Sequence, residues 1–276
     1  MSKAMKNINF TKVDIAKNMT IFVNDEIEQS ERANIANRLM DYSHLHAEQV
    51  GFLSANNLEM MGGELCVNAT LGACGFLAFK EEESSKIISA GMDIKTKAKK
   101  ISDNEFDCSL ELPYPTKITH GLIVLLGLKT RCSIVEFPGI THAIIPMLKS
   151  SVKDSYFKTV LNKLNDKSKD AFGVLFYDER ARYLTPAVWV KDTDSFVHES
   201  ACGSGCAAIA AAFYTNTEVD IHQPGGVLRV LAKDTSKESK AEVVNDVIYD
   251  KNDDNKECYI KVAARVKIVA TGVAYI

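Results

Sequence analysis

The 276 residues suffice for one large hydrophobic core or two smaller ones, and 46% hydrophobic with 25% charged residues, 15 glycines and 6 prolines exclude low-complexity disorder, collagen and coiled coil. With 33 basic against 36 acidic residues the net charge is -3, so the sequence carries no electrostatic footprint for nucleic acid or an anionic membrane. The first residues carry Lys3, Lys6 and Lys12 without a continuous apolar run, so no export signal is read and a cytoplasmic chain with reduced thiols is expected from its seven cysteines.

In chain order, Met19 to Val23 and Gln49 to Leu53 read as strands, and Ser30 to Tyr42 reads as a helix capped by Ser30, with Ile35, Leu39 and Met40 on one face. Further strands are expected at Gly121 to Leu126, Ser133 to Phe137, Phe172 to Tyr177, Val188 to Val190 and Val227 to Leu231. Lys149 to Lys169 reads as an exposed amphipathic helix, and Asp250 to Glu257 as a charged hairpin tip. The uncharged run Ser200 to Thr217 is too short and polar to span a membrane and reads as a buried helix.

Two segments stand apart. Glu64 to Phe79 and Ser200 to Phe213 each place a cysteine, Cys66 or Cys202, just ahead of a small-residue helix that is apolar nearly all round and therefore surrounded by protein. The 136-residue offset between these cysteines is close to half the chain, as two copies of one sheet-around-a-helix unit would give. A thiol at a helix N-terminus meets partnerless N–H groups and the positive end of the dipole, which favour a thiolate and equally hold a carboxylate. Two such thiols on opposite faces of one stereocentre allow one to remove an α-proton and the other to return one, which is racemisation or epimerisation without a cofactor.

The pieces Asn18-Met-Thr-Ile21, Glu48-Gln-Val-Gly-Phe52, Cys66-Val-Asn-Ala-Thr70, Glu199-Ser-Ala-Cys-Gly-Ser-Gly205, His222-Gln-Pro-Gly-Gly226 and Thr271-Gly-Val-Ala-Tyr275 span nearly the whole chain. On them the sequence resembles the diaminopimelate epimerase-like fold of cofactor-independent amino-acid racemases, and within it the bacterial histidine racemases. The resemblance implies an α+β fold of two pseudo-symmetric lobes, each a mixed sheet or barrel wrapped around a central helix. Residues 1–114 with 265–276 would form the N-terminal lobe and residues 115–264 the C-terminal lobe. It also implies catalytic Cys66 and Cys202, substrate carboxylate binding by the amides of Val67, Asn68, Gly203 and Ser204, and orientation of the α-ammonium by Glu199 and Asn18. The expected partner is a small amino acid, with neither nucleic acid nor membrane, no cofactor and no metal; a homodimer is compatible with it.

Departures from diaminopimelate epimerase bear on the substrate. Ser200 follows Glu199 where that enzyme has an Arg, and Ala171-Phe172 stands where an Asn is expected, so the clamp for a distal carboxylate is missing. Tyr42, His46, Glu48 and Gln49 are read either as candidates to hydrogen-bond an imidazole or as surface residues at a helix end. The remaining alternatives are a diaminopimelate epimerase or broad-specificity racemase, and a non-racemising isomerase or binding member of the same fold. Gly203-Ser-Gly-Cys-Ala-Ala208 satisfies a dinucleotide fingerprint but lacks a good parallel strand ahead of it. His198, Cys202 and Cys206 lack a fourth zinc ligand, and His44 with His46 is only a pair. Cys74, Cys108, Cys132 and Cys258 are expected to be small core residues, Trp189 core or interface, and His142 either a cleft residue or a structural one.

Overall fold

The structure, a computed structural model, describes residues 6–61, 63–81, 85–165, 168–191, 194–237, 247–248 and 257–276. The Asp250 to Glu257 hairpin tip, apart from Glu257, lies outside them. The chain forms two compact units, Met1–Leu110 with Ala263–Ile276, and Glu111–Val262.

The first unit runs β1 (Asn7–Ile15), β2 (Asn18–Val23), α1 (Gln29–Met40), β3 (Gln49–Ser54), β4 (Asn57–Met60), α2 (Val67–Phe79), β5 (Lys86–Ser89), β6 (Met92–Lys100) and β7 (Glu105–Pro113), completed by the C-terminal strand (Cys258–Tyr275). β1 is antiparallel to both the C-terminal strand and β2, β2 is parallel to β3, β3 antiparallel to β4, β4 parallel to β5, and β5 antiparallel to β6. β6 joins β7 and β7 joins the C-terminal strand, closing an eight-stranded mixed barrel.

Strand alternation decides what lies on each face of this wall. Ile8, Phe10, Ile21 and Val23 pack with Ile35, Ala36 and Leu39 of α1, while Val13, Ile15 and Phe22 point to α2 at Gly72. α2 is buried from Val67 to Leu77, so its apolar circumference is satisfied on every side. Each large apolar side chain it buries contributes roughly 1.5–3 kcal/mol. Its glycines set the approach: a methyl group at Gly75 would lie 2.6 Å from Val266 Cγ1.

The second unit contains β8 (Lys117–Leu125), β9 (Leu128–Phe137), β10 (Ile140–Pro146), α3 (Asp154–Leu164), β11 (Ala171–Asp178), β12 (Tyr183–Val190), β13 (Ser195–His198), α4 (Gly203–Phe213), β14 (Glu218–Gln223), β15 (Gly226–Asp234) and the two-residue β16 (Val247–Ile248), which pairs with β8. From β9 the pairings run antiparallel to β10, parallel to β11, antiparallel to β12, parallel to β14 and antiparallel to β15. That is the order of β1 through β6, with α3 in the place of α1 and α4 in the place of α2. The expected duplication is therefore present in the topology. Ala143, Ile145, Val174 and Phe176 face Phe157 and Val160 of α3, leaving His142, Gly173 and Leu175 on the face toward α4.

Two helix expectations are corrected. Lys149 to Lys169 is not one helix: the Lys149 N–H goes to the Asp178 carboxylate, Lys149–Ser151 closes a separate 3-10 turn, and α3 occupies only Asp154–Leu164. α1 begins at Gln29 behind Glu28, so Ser30 lies inside its first turn and does not cap it. Cys74, Cys108 and Cys132 are buried as expected, whereas Cys258 is only partly so and donates its thiol to Asp234 Oδ1 at 3.4 Å. Trp189 is core, its Nε1 donating to Asp194 Oδ1 at 2.9 Å. Among the described residues no helix is long and apolar enough to cross a membrane.

Candidate active site

Each unit starts its buried helix from a cysteine. Cys66 is the N-cap of α2 and its Sγ accepts from the Ala69 N–H at 3.4 Å; Cys202 is the N-cap of α4 and its Sγ accepts from the Gly205 N–H, also at 3.4 Å. In both cases an extended N-cap backbone lets the sulfur reach the third helical amide, the geometry a serine or aspartate cap uses, so the partial positive charge of the first turn falls on the sulfur. The amides expected to hold a carboxylate, Val67 with Asn68 and Gly203 with Ser204, form the first turns of these two helices.

In the first unit the thiol sits in a polar chain. Cys66 Sγ donates to Gln49 Oε1 at 3.1 Å, Gln49 Nε2 donates to Asn18 Oδ1 at 2.8 Å and to Thr20 Oγ1 at 2.7 Å, and Asn18 Nδ2 donates to Glu48 Oε2 at 2.8 Å. Asn18 and Thr20 share the α2-facing side of β2 with Phe22, and Gln49 lies beside Thr20 in the parallel register. The sequence-expected residues Asn18, Glu48 and Gln49 are thus brought to Cys66. Tyr42 and His46 are not: Tyr42 is 85% exposed and the two rings meet edge-on at 5.3 Å at the surface.

The second unit fills the corresponding place differently. His142 occupies in β10 the position that Thr20 occupies in β2, and its partner across the parallel pair is Gly173 instead of a glutamine. The imidazole lies over that glycine: a methyl group there would be 2.1 Å from His142 Nδ1. His142 Nε2 meets Ser204 Oγ at 3.0 Å, and Ser204 Oγ lies 3.6 Å from Cys202 Sγ. His142 is therefore buried and tied into the Cys202 group; burial pulls its pKa down to about 3, so the ring is neutral.

Burial pushes the Cys202 thiol well above its usual range, and Glu199 adds to this through its charge and a hydrogen bond, while Ser204 and the Gly205 amide act in the opposite sense. Burial and the charge of Glu199 also raise Cys206, one turn further along α4. Gln223 escaped the sequence reading. Its Oε1 accepts from the Cys202 N–H at 2.7 Å, and Gly225 N–H donates to the Ser200 carbonyl at 2.8 Å, so the hairpin between β14 and β15 clamps the loop that carries Cys202. The His222 to Gly226 motif marked this hairpin without revealing the contact.

The dinucleotide reading falls on β13, which runs antiparallel to β12 and ends at His198, so no parallel strand feeds the glycine motif. The His198 ring packs against Phe157 at 4.7 Å, and among the described residues no group of three or more His, Cys, Asp or Glu could hold a metal ion.

Paired units of this kind recur in solved structures of racemases, epimerases and isomerases. The structure is similar to a probable proline racemase from Agrobacterium radiobacter (TM-score 0.62, 10% identity, 96% of this chain and 92% of that one) and to a hydroxyproline epimerase from Agrobacterium vitis (TM-score 0.64, 8% identity, 98% and 93%). It is also similar to a methylitaconate-delta-isomerase (TM-score 0.51, 11% identity, 99% and 96%). In sequence, residues 7–275 match the family model described as histidine racemase CntK N-terminal domain, so the chain belongs to that histidine racemase family and is an isomerase. It is 27% identical to a histidine racemase of Fusobacterium nucleatum subsp. nucleatum over 100% of both chains. It is 26% identical to one of Staphylococcus aureus over 82% of this chain and 89% of that protein.

Proposed function

We propose that this protein is a cofactor-independent histidine racemase in which Cys66 and Cys202 act on opposite faces of the substrate α-carbon. The observation that carries the reading is the duplication itself. The same strand order delivers, in each unit, a cysteine to the N-cap of a buried helix, with its sulfur on the third amide and a polar side chain against it.

In the reaction, one cysteine as thiolate takes the α-hydrogen as a proton and becomes a thiol, leaving the electron pair on the substrate as an enolate-like carbanion. The other cysteine, as thiol, donates its proton to the opposite face and becomes the thiolate. No atom is gained or lost apart from the exchanged proton, and configuration inverts. The amides of Val67, Asn68, Gly203 and Ser204 hold the α-carboxylate, whose oxygens carry the charge that develops in the carbanion. Glu199 and Asn18 orient the α-ammonium.

Histidine is favoured over diaminopimelate because Ser200 follows Glu199 and the chain supplies no guanidinium there for a second carboxylate, and because the named relatives are histidine racemases. Glu48 and Gln49, unlike Tyr42 and His46, belong to the Cys66 group, so of that set they are the side chains placed beside a substrate held at Cys66. Chiral chromatography of reactions with L-histidine, diaminopimelate and a panel of other amino acids tests the reading. Inversion of histidine in preference to the others is expected; inversion of diaminopimelate alone would select the epimerase alternative, and none at all the non-racemising isomerase.

A further inference from the structure

The chain of side chains at Cys66 has a direction, and a single charge sets it. Glu48 as a carboxylate only accepts hydrogen bonds, so the group Asn18 turns toward it must be its amide nitrogen, as the 2.8 Å contact from Nδ2 to Oε2 shows. That leaves Asn18 Oδ1 facing Gln49, which must answer with its own nitrogen, 2.8 Å away. The second N–H of Gln49 is taken by Thr20 Oγ1 at 2.7 Å. Both donors of the amide are then engaged, and only its carbonyl is left for Cys66, 3.1 Å from the sulfur. A carbonyl oxygen cannot donate, so the sulfur must, and it does so only as a thiol.

We infer that Glu48 is a positioning residue: acting through Asn18 and Gln49, it fixes the polarity of a hydrogen-bond chain that ends on Cys66 and holds that cysteine as the proton-donating thiol of the resting enzyme. The inference deepens the two-cysteine reading and rests on it for its catalytic meaning. An amide oxygen orients the Cys66 proton without taking it up. Cys202 stands in a different setting: its sulfur lies 3.6 Å from Ser204 Oγ and accepts from the Gly205 N–H at 3.4 Å. The two half-sites are thus built from different groups, and Cys66 as a thiol is the acid for the enantiomer whose α-hydrogen faces Cys202.

Replacing Glu48 by glutamine keeps the shape and removes the constraint. A glutamine at 48 can offer its nitrogen to Asn18, Asn18 can then turn its own nitrogen to Gln49, and Gln49 can turn its nitrogen to the sulfur, stabilising a thiolate. Glu48→Asp keeps the acceptor-only carboxylate and with it the original direction. The test uses the full substrate-free chain at neutral pH, with iodoacetamide alkylation of Cys66 followed by peptide mapping, since Cys66 is only partly buried and the reagent attacks the thiolate.

Alkylation of Cys66 is expected to speed up about tenfold in Glu48→Gln, corresponding to about one unit of thiol pKa, and to stay within about twofold of wild type in Glu48→Asp. Infrared difference spectra, wild type minus Cys66→Ser, should show a hydrogen-bonded S–H stretching band that weakens in Glu48→Gln. An unchanged or slower Cys66 alkylation in Glu48→Gln, or the absence of that band from the wild type, overturns the inference. Racemisation by Cys66→Ser is measured alongside: full activity there refutes the catalytic reading while leaving the direction of the hydrogen-bond chain standing on its own readouts.

Discussion

Gly173 is the residue on which the second half-site depends most sharply for shape. Its α-carbon faces the His142 imidazole, and an alanine methyl would lie 2.1 Å from Nδ1, 2.6 Å from Cε1 and 3.3 Å from Cγ. The ring is fully buried and has Phe137 edge-on at 6.4 Å, so it cannot swing into solvent. To restore ordinary van der Waals contact the ring must retreat by more than about 1 Å, which breaks the 3.0 Å contact with Ser204 Oγ. Loss of a buried hydrogen bond costs about 1–3 kcal/mol and overpacking about 1–3 kcal/mol more, so Gly173→Ala should destabilise the protein by roughly 2–6 kcal/mol. The assay is urea unfolding of Gly173→Ala, His142→Ala and the double variant. With the ring gone the methyl group has room, so Gly173→Ala in the His142→Ala background should cost less than about 1 kcal/mol. Equal costs in the two backgrounds, or a cost near zero in the wild type, would refute the argument that the glycine exists to admit the imidazole.

Further outcomes follow from the same groups. Cys66→Ser and Cys202→Ser should each reduce histidine racemisation to background, while Cys74→Ser, whose thiol is buried along α2 away from the N-cap, should leave turnover within about threefold on the standard single-substitution scale. Because His142 titrates near pH 3 when folded, against 6.5 for an unhindered imidazole, the unfolded chain binds the extra proton between those values. Stability contributed by the neutral ring is complete above about pH 6.5 and is lost as pH falls toward 3, by up to about 1.4 kcal/mol per pH unit, and His142→Gln should remove that slope in acid-titrated unfolding curves. Since the thiols are assigned the roles of acid and base, chelators and carbonyl reagents should leave racemisation intact, and loss of activity on either treatment would contradict that assignment.

Much of this arrangement was legible from the residues in order. The two apolar helices announce themselves because burial on every side removes the polar stripe, and the cysteine ahead of each is visible for the same reason, a lone polarisable group at the mouth of an apolar run. The expected strand segments fall on β2, β3, β8, β9, β11, β12 and β15, whereas β1, β10 and β14 were not among them. What stayed hidden depends on register. Thr20 meets Gln49 and His142 meets Gly173 only because parallel pairing sets residues about thirty positions apart side by side, and nothing local at Gly173 distinguishes a close approach from a flexible turn. The Cys202 N–H finding its acceptor in Gln223 is of the same kind. The expected helix from Lys149 to Lys169 failed for the opposite reason: its amphipathic pattern was sound, but Asp178, on a neighbouring strand, took the Lys149 amide and held the first residues in a separate turn.

The central claim is that two different thiols serve the two faces of one carbon, and the distribution of isotope at early times tests it most directly. L-histidine is incubated with the enzyme in heavy water and both enantiomers are recovered after a small fraction of turnover. Two bases predict that the D-histidine formed carries deuterium at Cα while the remaining L-histidine carries almost none, with the mirror result starting from D-histidine. Equal labelling of both enantiomers from the first time point would mean that a single group works both faces, and inversion without α-deuterium would remove proton transfer to and from solvent-exchanging thiols altogether.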